Sequence, residues 1–292
     1  MSMNLRKKEA RKGFLISSTY LIYSAIFWIY PFFWLIILAF SRWRYVGSPK
    51  FSGFRNFLRV LYDPIFWKAF FNVINFMAYY IPMVLFFSFL FAIALNKLKY
   101  GKTFVALSFL IANISSGVAY SIVFSKIFSE NGPLNQFIYN LFGITIPWFT
   151  SPQLAMFSIS LMVVWKFIGY YGLIIYAGIV SIPKSIYEAA ELDGANKYVK
   201  FFKITLPLLN PSIIMVLVFA ISLSFGIFTE PYMITGGGPM RSTLMPMMVM
   251  YISAFQKMDP TYAATMTIFI ATASFSIIWI TRKIFEREVE FV

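Results

Sequence analysis

Ser181-Ile-Pro-Lys-Ser-Ile-Tyr-Glu-Ala-Ala-Glu-Leu-Asp-Gly-Ala-Asn-Lys-Tyr-Val-Lys-Phe-Phe-Lys-Ile-Thr-Leu-Pro207 is a polar island in a 292-residue chain that is 60% hydrophobic, 21% aromatic and only 12% charged. The island reads as two short helices joined by a turn. Ser185 followed three residues later by Glu188 has the form of a capping box, so a helix is expected to begin there. Gly194 offers the left-handed conformation that ends a helix, and Asn196 can cap the next one. Lys197, Lys200 and Lys203 decorate that second helix, and Pro207 marks where the chain turns into whatever follows.

What lies on either side is too long and too apolar for a soluble domain. A helix needs about 20 consecutive apolar residues to cross a bilayer core. Residues 154–178, interrupted by Lys166, precede the island, and residues 204–229 follow it. Further windows cover residues 14–40, 69–95, 103–125 and 260–281. The expected fold is therefore all-α and polytopic, with about six transmembrane helices and both termini on one side. Residues 242–256 are apolar but short, which suits an interfacial or re-entrant piece. The expected organisation is a basic tail over residues 1–13, one transmembrane domain over 14–281 containing the 181–207 loop, and a short tail over 282–292. Pro31, Pro82 and Pro211 mark possible kinks.

The net charge of +14 resides in short segments between the apolar windows, so topology explains it better than nucleic acid does. With both termini inside, the inner segments hold fifteen Lys and Arg against eight in the outer loops. The basic run between Arg42 and Lys68 is a counter-signal, which fits an anionic solute or lipid headgroups. With no Cys and no His, disulfides, zinc sites and thiol or imidazole catalysis are excluded. No Walker sequence is present, so the chain is not expected to be an enzyme or to hold a metal or cofactor. An ion-gradient carrier would be expected to show intramembrane acidic residues, and no Asp or Glu lies within a confident span.

Glu188-Ala189-Ala190, three residues, Gly194, nine residues, then Ile204-x-Leu206-Pro207 resembles, position for position, the EAA loop of ABC importer permeases. The stretch from Phe51 to Phe70, and Thr235-Gly236-Gly237-Gly238-Pro239, are similar to carbohydrate-importing permeases of the MalF and UgpA type. The resemblance implies a MalF-like, type I importer fold in a bacterial or archaeal plasma membrane, with cytoplasmic termini. It implies a sugar or oligosaccharide as solute, or a sugar phosphate or polyol phosphate. It further implies a second related permease, two ATP-binding subunits that carry ATP and magnesium, and an extracytoplasmic solute-binding protein. The loop would be the coupling helix seated on the ATPase, with Glu188, Ala189, Ala190, Asp193, Gly194, Leu206 and Pro207 as its working residues.

A neutral sugar needs hydrogen-bond partners and aromatic faces at membrane depth. The mid-span candidates are Asn113, Ser115, Ser116, Tyr170, Tyr171, Ser222, Ser224 and Phe225, each of which has a plain packing role as its alternative. Lys166 is either a substrate or gating contact or one half of an interior ion pair, and Glu230 either lines the path or lies at headgroup level.

Overall fold

The computed structural model describes residues 13–14 and 17–286. The basic tail carrying Arg6, Lys7, Lys8, Arg11 and Lys12, and Arg287 at the other end, lie outside the described residues. The chain forms two compact units, Met1–Asp63 with Met250–Phe269, and Pro64–Val249 with Ile270–Val292.

In the first unit, helix α1 (Ser17–Ala39) is span-length, with a π-helical turn at Ala25–Ile29 just before Pro31. The strands β1 (Ser41–Arg42) and β2 (Lys50–Phe51) pair antiparallel, and helix α2 (Arg55–Leu61) follows. Asn56 Nδ2 ties this region together by donating to Ala39 O at 3.0 Å and Ser41 O at 2.7 Å.

The second unit is built on helix α3 (Pro64–Lys97). Its buried positions Phe66, Ala69, Val73, Phe76, Tyr80, Val84, Ser88, Phe91 and Leu95 recur at three- to four-residue spacing and so form one stripe. That stripe packs most extensively on the long helix α7 (Ala155–Ser181). Glycines let α7 come close to its neighbours. A Cβ at Gly169 would fall 2.6 Å from Phe109 Cβ and 2.8 Å from its backbone, and one at Gly178 would fall 2.3 Å from Ser212 Oγ. Pro82 lies inside α3, on an exposed face away from the stripe.

The third expected span, residues 103–125, is not one helix. It is helix α4 (Lys102–Ile114) and helix α5 (Gly117–Ile127), bent by 98° at Ser115–Ser116. Both serines are extended, with ψ of 145° and 128°, and Ser115 Oγ donates to Ile111 O at 2.7 Å. A serine hydroxyl that binds the preceding turn competes with helix continuation, and Gly117 adds backbone freedom.

After α5 comes helix α6 (Pro133–Phe142), which leaves Phe137, Leu141 and Phe142 exposed. The polar loop contains helix α8 (Lys184–Leu192) and helix α9 (Lys197–Leu208). Helix α10 (Asn210–Gly226) forms the fifth span together with α9, from which it bends by 57°. Pro207 and Pro211 flank the bend, each removing a backbone donor, and a π-helical turn at Lys200–Thr205 precedes it. Helix α11 (Thr229–Thr235) ends at Gly236, and the glycine run is a turn with φ of +59° and +88° at Gly236 and Gly237. Asn72 fastens the following segment by donating to Arg241 O and Leu244 O at 2.8 and 2.9 Å.

Residues 242–256 contain helix α12 (Pro246–Tyr251) and a π-helical turn, far too short to cross. Helix α13 (Pro260–Phe285) is the last span. Among the described residues, four helices are long and apolar enough to cross a membrane, or six if each bent pair is one span, which agrees with the expected count.

Candidate functional site

The projecting loop is held in shape by local chemistry. Helix α8 starts at Lys184 after Pro183, whose extended ψ of 136° supplies the entry. The capping box expected from Ser185 and Glu188 does not form, because Ser185 already lies inside the helix and a cap residue must be non-helical. At the other end Gly194 adopts φ +77°. Gly194 N–H donates to Glu191 O at 3.0 Å and Ala195 N–H to Ala190 O at 2.8 Å, the pair of bonds that closes a Schellman motif. Asn196 Oδ1 then accepts from Val199 N–H at 2.9 Å, capping α9 as expected.

A further tie was not expected from the sequence. Lys200 donates to Glu191, and Tyr187 and Thr205 hydroxyls lie 3.0 Å apart, so α8 and α9 are clamped together. The hydrogen bond from Lys200 holds the Glu191 carboxyl below its ordinary pKa. Glu188 and Asp193 are left exposed, with no ion pair to a described residue. Around them Leu192 is 90%, Tyr198 78% and Phe202 62% exposed. Ala189 and Pro207 are exposed, and Ala190 and Leu206 are partly covered.

The second feature lies where α5 and α11 meet the middle of α7. Lys166, from the middle of α7, places Nζ 2.8 Å from Glu230 Oε1, in the first turn of α11. Their side chains are 12% and 8% exposed. The lysine also lies 5.5 Å from the Tyr120 ring and 5.9 Å from that of Phe167, within range for cation–π attraction. Tyr120, on α5, donates its hydroxyl to Met162 O on α7. A Cβ at Gly117, the first residue of α5, would stand 3.1 Å from Thr229 Cγ2. The start of α5 and the start of α11 therefore converge on one buried ion pair. Of the two readings of Lys166, the geometry is that of the interior pair, and Glu230 is its partner.

The remaining candidates separate into two groups. Tyr171, Ser224 and Phe225 are buried within the chain: Tyr171 stacks on Phe167 with centroids 5.4 Å apart, Ser224 Oγ donates to Ala220 O at 2.7 Å, and Phe225 lies 6.4 Å from Phe70. These three do packing work. Ser222 lies on an exposed stripe of α10 with Met215 and Phe219, and Tyr170 stands beside that stripe with its ring 6.4 Å from Phe219. Asn113 and Ser115 are half-buried at the α4–α5 break, and Ser116 is exposed there.

Among the described residues, four long apolar helices and two bent pairs, with a clamped pair of polar helices between the fourth and fifth expected spans, have the makeup of an integral membrane protein. Residues 57–290 match the family described as binding-protein-dependent transport system inner membrane component, and the chain belongs to that family. It is a multi-pass membrane protein. Among curated relatives, a sulfoquinovosyl glycerol transport system permease protein, SmoG, of Agrobacterium fabrum is 34% identical over 82% of this chain and 79% of its own. A lactose transport system permease protein, LacF, of Rhizobium radiobacter is 32% identical over 90% of each chain. A bacterial ABC transporter involved in import of the acidic polysaccharide alginate shares the fold at a TM-score of 0.79, with 21% identity over 98% of this chain and 100% of that one.

Proposed function

We propose that this chain is one of two related permease subunits of an ATP-driven importer for a sugar or oligosaccharide, with its termini and the α8–α9 loop in the cytoplasm. Family membership and the sugar-transport names of the relatives support the substrate class. The loop carries the mechanism. Its two helices are fixed to each other by the Glu191–Lys200 pair, while Glu188, Asp193, Leu192, Tyr198 and Phe202 face outward uncommitted. A rigid peg with an apolar surface and two spare carboxylates suits a groove on an ATP-binding subunit that offers apolar and basic groups. ATP and magnesium belong to that partner, and the solute arrives from an extracytoplasmic binding protein.

The bend of 57° between α9 and α10 joins the peg directly to the fifth span, so a push on the loop becomes a tilt of α10. Tyr170, Phe219 and Ser222 form a mixed aromatic and hydroxyl surface on the flanking helices, the chemistry that a sugar path or a second permease would cover. Tagged purification in mild detergent is expected to recover an ATP-binding subunit and a second permease. A reproducibly solitary chain that still transports would point to a gradient-driven carrier instead.

Because the chain has no cysteine, topology is directly testable. A single thiol introduced as Ser185→Cys is expected to react with impermeant maleimide only in inverted vesicles. Labelling from outside intact cells would reverse the orientation.

A further inference from the structure

The first unit contains a cleft of about 240 Å³ whose lining includes Arg42, Arg44, Arg55 and Arg59, Trp43 and the Asp259 carboxylate. Of the four guanidinium groups, that of Arg59 is engaged: it meets Asp259 at 2.5 Å and lies 4.3 Å over the Tyr262 ring. The Asp259 carboxylate also accepts from Thr261 Oγ1 at 2.9 Å and from Tyr262 N–H at 3.2 Å, so it serves as the cap of α13. Burial acts to raise the pKa of Asp259, and the bonds from Arg59 and Thr261 outweigh it and hold the group ionised. Arg42, Arg44 and Arg55 form no ion pair with any described carboxylate. Three exposed guanidinium groups around one concavity make a positive surface that attracts anions.

The place of the cleft says which anion. Arg42 follows the last residue of α1 by three positions, and Asp259 immediately precedes α13. A residue advances about 3.3 Å in extended chain, so Arg42 lies within about 10 Å of the end of a span. The polar layer outside the hydrocarbon core is itself about 5 to 8 Å deep on each side. Trp43 packs edge-on against Trp34 with centroids 6.3 Å apart and lies 5.2 Å from Tyr45, an aromatic cluster of the kind that anchors at headgroup level. Phe51 and Phe54 are strongly exposed beside the arginines, giving apolar surface for the upper part of acyl chains.

We propose that Arg42, Arg44 and Arg55 form a binding site for the phosphate of an anionic phospholipid headgroup, with Trp43 as its aromatic wall. Arginine forks suit phosphate oxygens because two N–H groups can bind at once. Both first and last spans end at this cleft, so a bound headgroup fixes the two span ends at the membrane surface.

The test is lipid retention by the purified full-length protein, with its partners where they copurify. Native mass spectrometry after exchange into an equal mixture of phosphatidylglycerol and phosphatidylcholine reads which lipid stays. Each basic group near an anionic surface contributes roughly a fivefold gain, so wild-type protein is expected to retain phosphatidylglycerol at least about tenfold over phosphatidylcholine. The combined variant Arg42→Gln, Arg44→Gln, Arg55→Gln is expected to lose that preference while remaining monodisperse. The corresponding triple Lys variant keeps the charge and is expected to retain most of the preference, which separates charge from folding. Equal retention of the two lipids by wild-type protein, or a preference unchanged in the Gln variant, overturns the proposal. So does displacement of the retained lipid by inorganic phosphate alone, which would make the cleft a site for a soluble anion.

Discussion

Glu230→Gln is expected to lower the melting temperature of the detergent-solubilised protein sharply, and a second substitution, Lys166→Met, to recover most of the loss. The argument rests on desolvation. Lys166 and Glu230 are 12% and 8% exposed and meet at 2.8 Å, so each removes the other's cost of being buried. Neutralising the glutamate alone leaves an ammonium in an apolar interior, a loss of about 3 to 5 kcal/mol. Removing both charges leaves a neutral amide as the only polar group to be satisfied there, a smaller cost than that of an unpaired ion. A double-mutant cycle on the two positions is expected to give a coupling of about 3 kcal/mol or more, the top of the range for residues in contact. Sugar uptake is expected to follow stability, falling in Glu230→Gln and returning in the double variant, because the pair ties the start of α11 to the middle of α7. If Glu230→Gln melts like wild type, the pair is not a structural clamp. If the double variant melts normally but does not transport, the charges act on the solute.

Which parts of this arrangement were legible in the sequence follows from how local their causes are. The expected spans over residues 69–95, 154–178 and 260–281 emerge as long helices, and Ser17–Ala39 of the first does too, because each is a long apolar window with at most one charge. Gly194 and Asn196 behave as expected because a left-handed turn and an N-cap are decided within a few residues. The break at Ser115–Ser116 was missed because hydropathy averages over a window and hides two serines among apolar neighbours. Ser115-Ser116-Gly117 was the available signal, since hydroxyls beside a glycine in mid-span are poor helix propagators. The failure of Ser185 as a cap has the opposite lesson: Pro183 two positions earlier had already set the entry to the helix.

The pairings were not legible at all. Lys166 and Glu230 are 64 residues apart, and Arg59 and Asp259 are 200 apart, so nothing in spacing or composition could join them. The sequence identified Lys166 as a charge in need of a partner and Glu230 as a charge of uncertain depth. Only the fold brings them together. The same holds for Tyr171, Ser224 and Phe225, which are polar or aromatic at mid-span yet spend their surface on neighbouring helices of the same chain. On α8, by contrast, Glu188 and Ala189 of the motif are exposed, while Ala190 is partly covered.

Gly194→Arg is the substitution expected to separate assembly from insertion most cleanly. Nothing lies within 4 Å of the position a Cβ would take at Gly194, so the larger side chain meets no wall within the chain. The φ of +77° costs a non-glycine residue about 1 to 2 kcal/mol, a strain confined to an exposed turn between two clamped helices. The variant is therefore expected to reach the membrane at near wild-type abundance. The arginine projects from the turn beside Asp193, on the surface assigned to the ATP-binding subunit, where bulk prevents close seating. A loss of about 1.4 kcal/mol in docking is already a tenfold loss of affinity, so uptake is expected to fall strongly and the ATP-binding subunit to drop out of the purification. Gly194→Asn is the matched control, because asparagine tolerates the left-handed conformation and adds little bulk. It is expected to retain both partner and uptake. Normal uptake by Gly194→Arg would remove the loop from the energy-coupling path, whereas loss in both variants would mean that the turn itself, and not its outer surface, is what transport requires.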